Sequence, residues 1–142
     1  MMKVEFHYNV SHKFGYLQRL LHKVLERELT AVVTCPAEDL SALDQRLWSE
    51  VPASFVPHCL ASAPAATLAA TPIWLAPSLP PGARQQVLIN MGGPVPEDLG
   101  QIERLLELVG TDAADAQAGR QRWRQYQARG FEIQPYDRKG RD

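Results

Sequence analysis

The first 34 residues constrain this chain most. Lys3 to Val10 (KVEFHYNV) alternates Val4, Phe6 and Tyr8 with polar neighbours, and Val10 keeps the same phase. Period-2 alternation predicts a strand with one buried face. Leu17, Leu20, Leu21, Val24 and Leu25 then fall at i, i+3, i+4, i+7 and i+8, the stripe of an amphipathic helix. Gln18, Arg19, Lys23, Glu26 and Arg27 occupy its other face. Ala31, Val32 and Val33 form a short apolar run that suits a buried strand. Early alternation of strand, helix and strand predicts an α/β fold whose sheet is parallel in its first part.

The rest extends that plan. Cys35-Pro36 interrupts the chain. Glu38 and Asp39 sit where a helix N-terminus favours acid, and Leu40, Leu43 and Leu47 line a second helix ending near Trp48. Phe55 to His58 reads as a short extended segment. Residues 61–82, mostly Ala, Pro, Ser and Thr, read as an irregular crossover. Within it Ile73-Trp74-Leu75-Ala76 has prolines on both sides and fits an edge strand. Val87 to Asn90 is a core strand closed by Gly92-Gly93-Pro94. Leu99, Ile102, Leu105, Leu106 and Val109 match a third helix, with Gly110 as its stop. Asp112 to Arg129 predicts a polar helix ended by Gly130. Phe131 to Ile133 reads as a last short strand, and 136–142 as a frayed polar tail. The expected order is β-α-β-α-β-β-β-α-α, in one domain over 1–142.

Composition narrows the function. Hydrophobic residues make up 45% and charged residues 22%, which fits a globular chain and not a disordered or coiled-coil one. No apolar run approaches a membrane span, and Met1 to His7 lacks a signal-peptide core. Cys35 and Cys59 form no metal or disulfide pattern, so a reducing cytoplasm is expected. The net charge of −1 argues against direct nucleic-acid binding, but it is an average. Residues 1–115 carry a net −5 and residues 116–142 a net +4.

Catalytic motifs are missing from the sequence. There is no GxxxxGK[ST] phosphate loop and no GxGxxG fingerprint after the first strand. Met91-Gly92-Gly93 lacks a lysine, and Pro94 removes a donor, so it reads as a turn. His7 falls at a polar phase of its strand, and His22 on the solvent side of its helix. No histidine or cysteine pair has metal-ligand spacing, so no metal and no cofactor are expected. Cys35 reads as a small packed residue.

Two stretches stand out. In Arg120-Gln121-Arg122-Trp123-Arg124-Gln125-Tyr126, Arg120 and Arg124 are i, i+4 neighbours with Trp123 between them. Two guanidinium groups around an aromatic suit a ligand with carboxylates and an apolar end, and Tyr126 is placed to extend that wall. Equally, periodicity alone allows Trp123 to be core and the arginines a solvated face. Around Leu47 to His58, Trp48 and Phe55 either pack as core or form an apolar patch for a protein partner.

Both stretches belong to a wider pattern. The blocks LDQRLW and SFVPH, the strand VLIN and the terminal RQRWRQYQARGF together resemble the chi subunit of bacterial DNA polymerase III over nearly the whole chain. The resemblance implies one α/β domain, similar to nucleotide-binding folds without a phosphate loop, and no catalysis of its own. It implies a clamp-loader-associated subunit that binds psi. It also implies a grip on the acidic C-terminal tail of single-stranded DNA-binding protein, which ends in aspartates and Pro-Phe.

The family's tail pocket maps onto Val109, Arg120, Trp123 and Arg124, with Gly130 and Phe131 shaping the helix end. Trp123 stands where a tyrosine is usual, Arg124 where a lysine is, and Ala116 where another lysine often contributes. Arg122 and Arg129 are the candidates to compensate. The psi-facing patch maps onto Trp48 and Phe55, with Val51 between them; a helicase is the alternative occupant. DNA is then met only indirectly. A degenerate nucleotide-binding enzyme and a direct nucleic-acid binder remain the competing classes.

Overall fold

The structure, a computed structural model, describes residues 3–49 and 55–140. Its elements are β1 (Lys3–Val10), α1 (Lys13–Glu26), β2 (Ala31–Thr34), α2 (Ala37–Trp48), β3 (His58–Leu60), α3 (Ala65–Ala70), β4 (Ile73–Ala76), β5 (Val87–Asn90), β6 (Arg104–Gly110), α4 (Ala113–Ala128) and β7 (Glu132–Asp137). The seven strands form one sheet in the order β3-β4-β2-β5-β6-β1-β7, and every pairing is parallel. The fold is therefore α/β as expected, and parallel throughout. Among the described residues no helix is long and apolar enough to cross a membrane.

A parallel sheet needs crossovers on its faces, so its central strands are buried on both sides. Leu17, Leu21 and Val24 of α1 and Leu43 and Leu47 of α2 pack on one face with Val33, Ile89, Leu106 and Leu108. On the other face Tyr126 and Trp123 of α4 pack with Phe6, Leu88, Leu105 and Val109.

Several expectations fail for identifiable reasons. The apolar stripe read as a third helix is strand β6, whose residues Leu105 to Gly110 are all buried. Their helical spacing is a coincidence of a nearly continuous apolar run, and Leu99 and Ile102 precede the strand. Gly110 ends this strand instead of a helix. Ile73–Ala76 is no edge strand: β4 lies between β3 and β2. Pro72 and Pro77 flank it from outside, and the Pro72 carbonyl accepts from Ala31 N at 3.0 Å. The crossover also holds a short helix, α3.

In β1, Val10 does not keep the phase. Asn9 has φ 58° and the register against β6 shifts between His7 and Val10, a bulge that turns Val10 onto the α1 face. His7, expected at a polar phase, is buried because α1 covers that face: its Nδ1 lies 2.6 Å from the Tyr16 hydroxyl. The C-terminal strand runs on to Asp137, into the stretch read as a tail. There Asn9 Nδ2 donates to Asp137 Oδ1 at 2.9 Å.

Candidate functional site

Helix α4 is held to the sheet at its N-terminus, along its length and at its end. Asp112 caps it, its carboxylate accepting from Ala114 N and Asp115 N at 3.1 and 3.2 Å. Asp115 reaches back to the end of β6 and accepts from Gly110 N at 2.6 Å and from Lys13 Nζ at 2.9 Å. Burial alone would raise the Asp115 carboxyl; the Gly110 amide and Lys13 outweigh it and hold it below its ordinary value. Gly119 then allows close approach, since a Cβ there would stand 2.8 Å from Val109 Cγ2.

Beneath the helix lies a buried polar network. Glu107 has no exposed surface, and its carboxylate accepts from Arg122 Nε (2.8 Å), Tyr126 Oη (2.5 Å) and Asn90 Nδ2 (2.8 Å). Burial pushes the Glu107 carboxyl up from its ordinary value, while the Arg122 charge and the three donors oppose that. Burial and the facing carboxylate raise the Tyr126 hydroxyl far above its ordinary value.

This network corrects two sequence readings. Arg122 is buried and committed to Glu107, so it is not available beside Arg120 and Arg124. Tyr126 is fully buried, and Trp123's wall does not continue through it. Arg129 is committed as well: its guanidinium donates to the carbonyls of Pro96 (2.5 Å) and Glu97 (3.0 Å). Neither Arg122 nor Arg129 lines the cavity that Ala116 lines.

The residues singled out at the C-terminal helix do come together. Val109, Arg120, Trp123 and Arg124 line one cavity of about 570 Å³, with Phe6, Tyr8, Asn9, Ala116, Gly119 and Gln127. Phe6 and Trp123 meet edge to face, ring centroids 5.0 Å apart, and form the apolar wall. Arg120 and Arg124 are exposed, and among the described residues neither is ion-paired. Among the described residues Arg120 donates to Gln117 Oε1 alone, at 3.0 Å. An apolar pocket under two unneutralised guanidinium groups is chemically suited to a carboxylate-bearing ligand with an apolar end. Sequence reasoning missed Phe6, Tyr8 and Asn9. Their alternation was legible, but only the pairing of β1 with β6 brings them beneath α4.

The second stretch also clusters. Trp48 is 58% exposed, and its ring lies 5.3 Å from Phe55 and 4.8 Å from His58, centroid to centroid. His58 Nδ1 contacts the Val56 carbonyl at 2.6 Å, and its Nε2 lies 3.2 Å from Asp44 Oδ1. These contacts fix the buried imidazole under the two aromatics. Val51 lies outside the described residues. The cluster sits by edge strand β3, four strand spacings or roughly 20 Å from β6.

The family model described as "DNA polymerase III chi subunit, HolC" matches residues 1–134. The chain belongs to the DNA polymerase III chi subunit family. It is also similar to the DNA polymerase III subunit chi of Pseudomonas aeruginosa, 33% identical over 119 residues, covering 83% of this chain and 81% of that protein. As a chi-family chain it is an accessory replication subunit and a component of a polymerase complex. Among the described residues, no group of three or more His, Cys, Asp and Glu side chains is arranged to hold a metal ion.

Proposed function

We propose that this chain is a single-domain, cytoplasmic bridge in the replication complex, without catalysis of its own. One surface holds the acidic C-terminal tail of single-stranded DNA-binding protein, and the other holds psi. The observation that carries the reading is the α4 cavity. Two unpaired guanidinium groups, Arg120 and Arg124, stand over an apolar wall of Trp123, Phe6 and Val109. The tail's carboxylates pair with the arginines, and its terminal phenylalanine enters against Trp123. The exposed Trp48 and half-buried Phe55 offer an aromatic anchor for psi, or for a helicase in its place. The separation of the two sites across the sheet supports simultaneous occupancy, which a bridge requires.

The test is co-elution on a sizing column with single-stranded DNA-binding protein, intact or lacking its last residues. Co-elution with the intact protein alone is expected; equal co-elution with both refutes the tail reading. In parallel, Phe55→Ala should stay folded and lose co-purification with psi, and unchanged co-purification refutes that patch.

A further inference from the structure

Strand β1 serves both faces of the sheet. Phe6 and Tyr8 line the α4 cavity, while Glu5 and His7 line a different one, of about 470 Å³, on the α1 side. Five cations line this second cleft: Arg19 and Lys23 from α1, Arg27 at its C-cap, Arg104 from β6, and Arg138 just past β7. Among the described residues Glu5 is the one carboxylate lining it, and Arg104 holds it through two bonds, from Nε at 2.5 Å and Nη2 at 2.9 Å. Glu26 and Glu28, nearby in sequence, do not line it.

We propose that this cleft binds the sugar-phosphate backbone of single-stranded nucleic acid directly. Arg19 and Lys23 fall at i and i+4 of α1 and Arg27 at its C-cap four residues on, a row that rises ~6 Å per helical step. All three are exposed, and among the described residues none is ion-paired. Lys23 in the last turn of α1 is explained by the helix dipole; Arg19, higher up the helix, is not. A row of evenly spaced cations suits a chain of regularly repeated phosphates better than one compact anion.

The facing wall adds a stacking surface. Tyr136 is 38% exposed and stacks on His7 through one face, centroids 4.8 Å apart at 24°. The exposed part of the ring is the surface a base would stack on. Cations beside an aromatic platform are the means by which proteins hold single strands without reading sequence. An acidic peptide would use the cations but not the ring. The net −5 of residues 1–115 hid this cleft, because of their acids Glu5 alone lines it. The inference is independent of the tail reading, since it uses the opposite face of the sheet.

The test is fluorescence anisotropy of a short labelled oligo(dT) with the full chain at low salt. Saturable binding is expected, with log K falling against log salt at a slope of about −2 to −3 if three to four phosphates are contacted. Arg19→Ala, Lys23→Ala and Arg27→Ala combined should weaken binding about tenfold or more and flatten that slope. Lys23→Gln alone, an exposed single change, should weaken it less and guards against a folding defect in the triple variant. Tyr136→Ala should weaken it and Tyr136→Phe restore it. Arg120→Ala with Arg124→Ala should leave it unchanged. The proposal is overturned by absence of binding at low salt, by an unaltered salt slope in the α1 variants, or by displacement of the oligonucleotide by an equally charged oligoglutamate at lower concentration.

Discussion

Replacing Arg122 with methionine separates the structural arginine from the two proposed to bind the tail. The change keeps most of the side-chain volume but strands Glu107 in the core. Breaking one side of a buried pair costs about 3–5 kcal/mol. The geometry favours the lower end. Arg122 bonds Glu107 through Nε alone, and its Nη2 has no hydrogen-bond partner, so the pair is not bidentate. Glu107 also keeps the donors from Tyr126 and Asn90. A loss of about 3 kcal/mol against a total of about 5–15 is large. With m of about 1–3 kcal/mol/M, the urea midpoint should fall by about 1–3 M.

The loss should also depend on pH. Burial already raises Glu107, and removing Arg122 raises it further. Once its folded value exceeds its unfolded one, the folded state binds the extra proton. The variant's stability then falls as pH rises through that folded value, so its deficit is larger at pH 7 than at pH 5. The fraction that remains folded should bind an acidic tail peptide with unchanged affinity. A midpoint shift below about 0.3 M refutes the account of the network, and so does a loss of peptide affinity without a loss of stability.

Two further outcomes follow from neighbouring contacts. Gly119→Ala should reduce tail affinity: the new Cβ meets Val109 at 2.8 Å, and overpacking costs about 1–3 kcal/mol against about 1 kcal/mol gained in helix propensity. Calorimetry on the folded variant checks this, and unchanged affinity contradicts it. At the other face, burial would raise Glu5, but the Arg104 bonds and His7 outweigh it and lower the carboxyl from 4.5 to about 2. The group's stabilisation is therefore present above about pH 4.5 and is lost as pH falls toward 2. Because Arg104 is partly exposed, the term is about 1 kcal/mol at most. Acid titrations of the wild type and Arg104→Ala should diverge above pH 4.5 and converge at low pH.

Much of this was legible in the sequence, and what was not has physical causes. Alternation identified β1, short apolar runs β2 and β5, helical stripes α1 and α2, and a polar run closed by Gly130 α4; two arginines flanking Trp123 pointed to the cavity. Strand β6 was misread because a strand buried on both faces loses its alternation. Glu107 inside its apolar run was a clue: a buried acid requires a partner, and the partner is a cation on the next helix. Arg122 was indistinguishable from Arg120 and Arg124 on a helix whose buried stripe is Gly119, Arg122 and Tyr126. The pairing of β4 between β3 and β2, and of β1 beside β6, is set by long-range contacts that no local pattern encodes.

The central claim is that α4 and the C-terminal ends of β1 and β6 form a receptor for an acidic, phenylalanine-terminated tail. Isothermal titration with such a peptide, against the wild type and the Arg120→Ala, Arg124→Ala double variant, tests it most directly. The account predicts micromolar-class binding to the wild type that weakens with salt, and its loss in a double variant with unchanged thermal stability. Equal affinity for both proteins would contradict it.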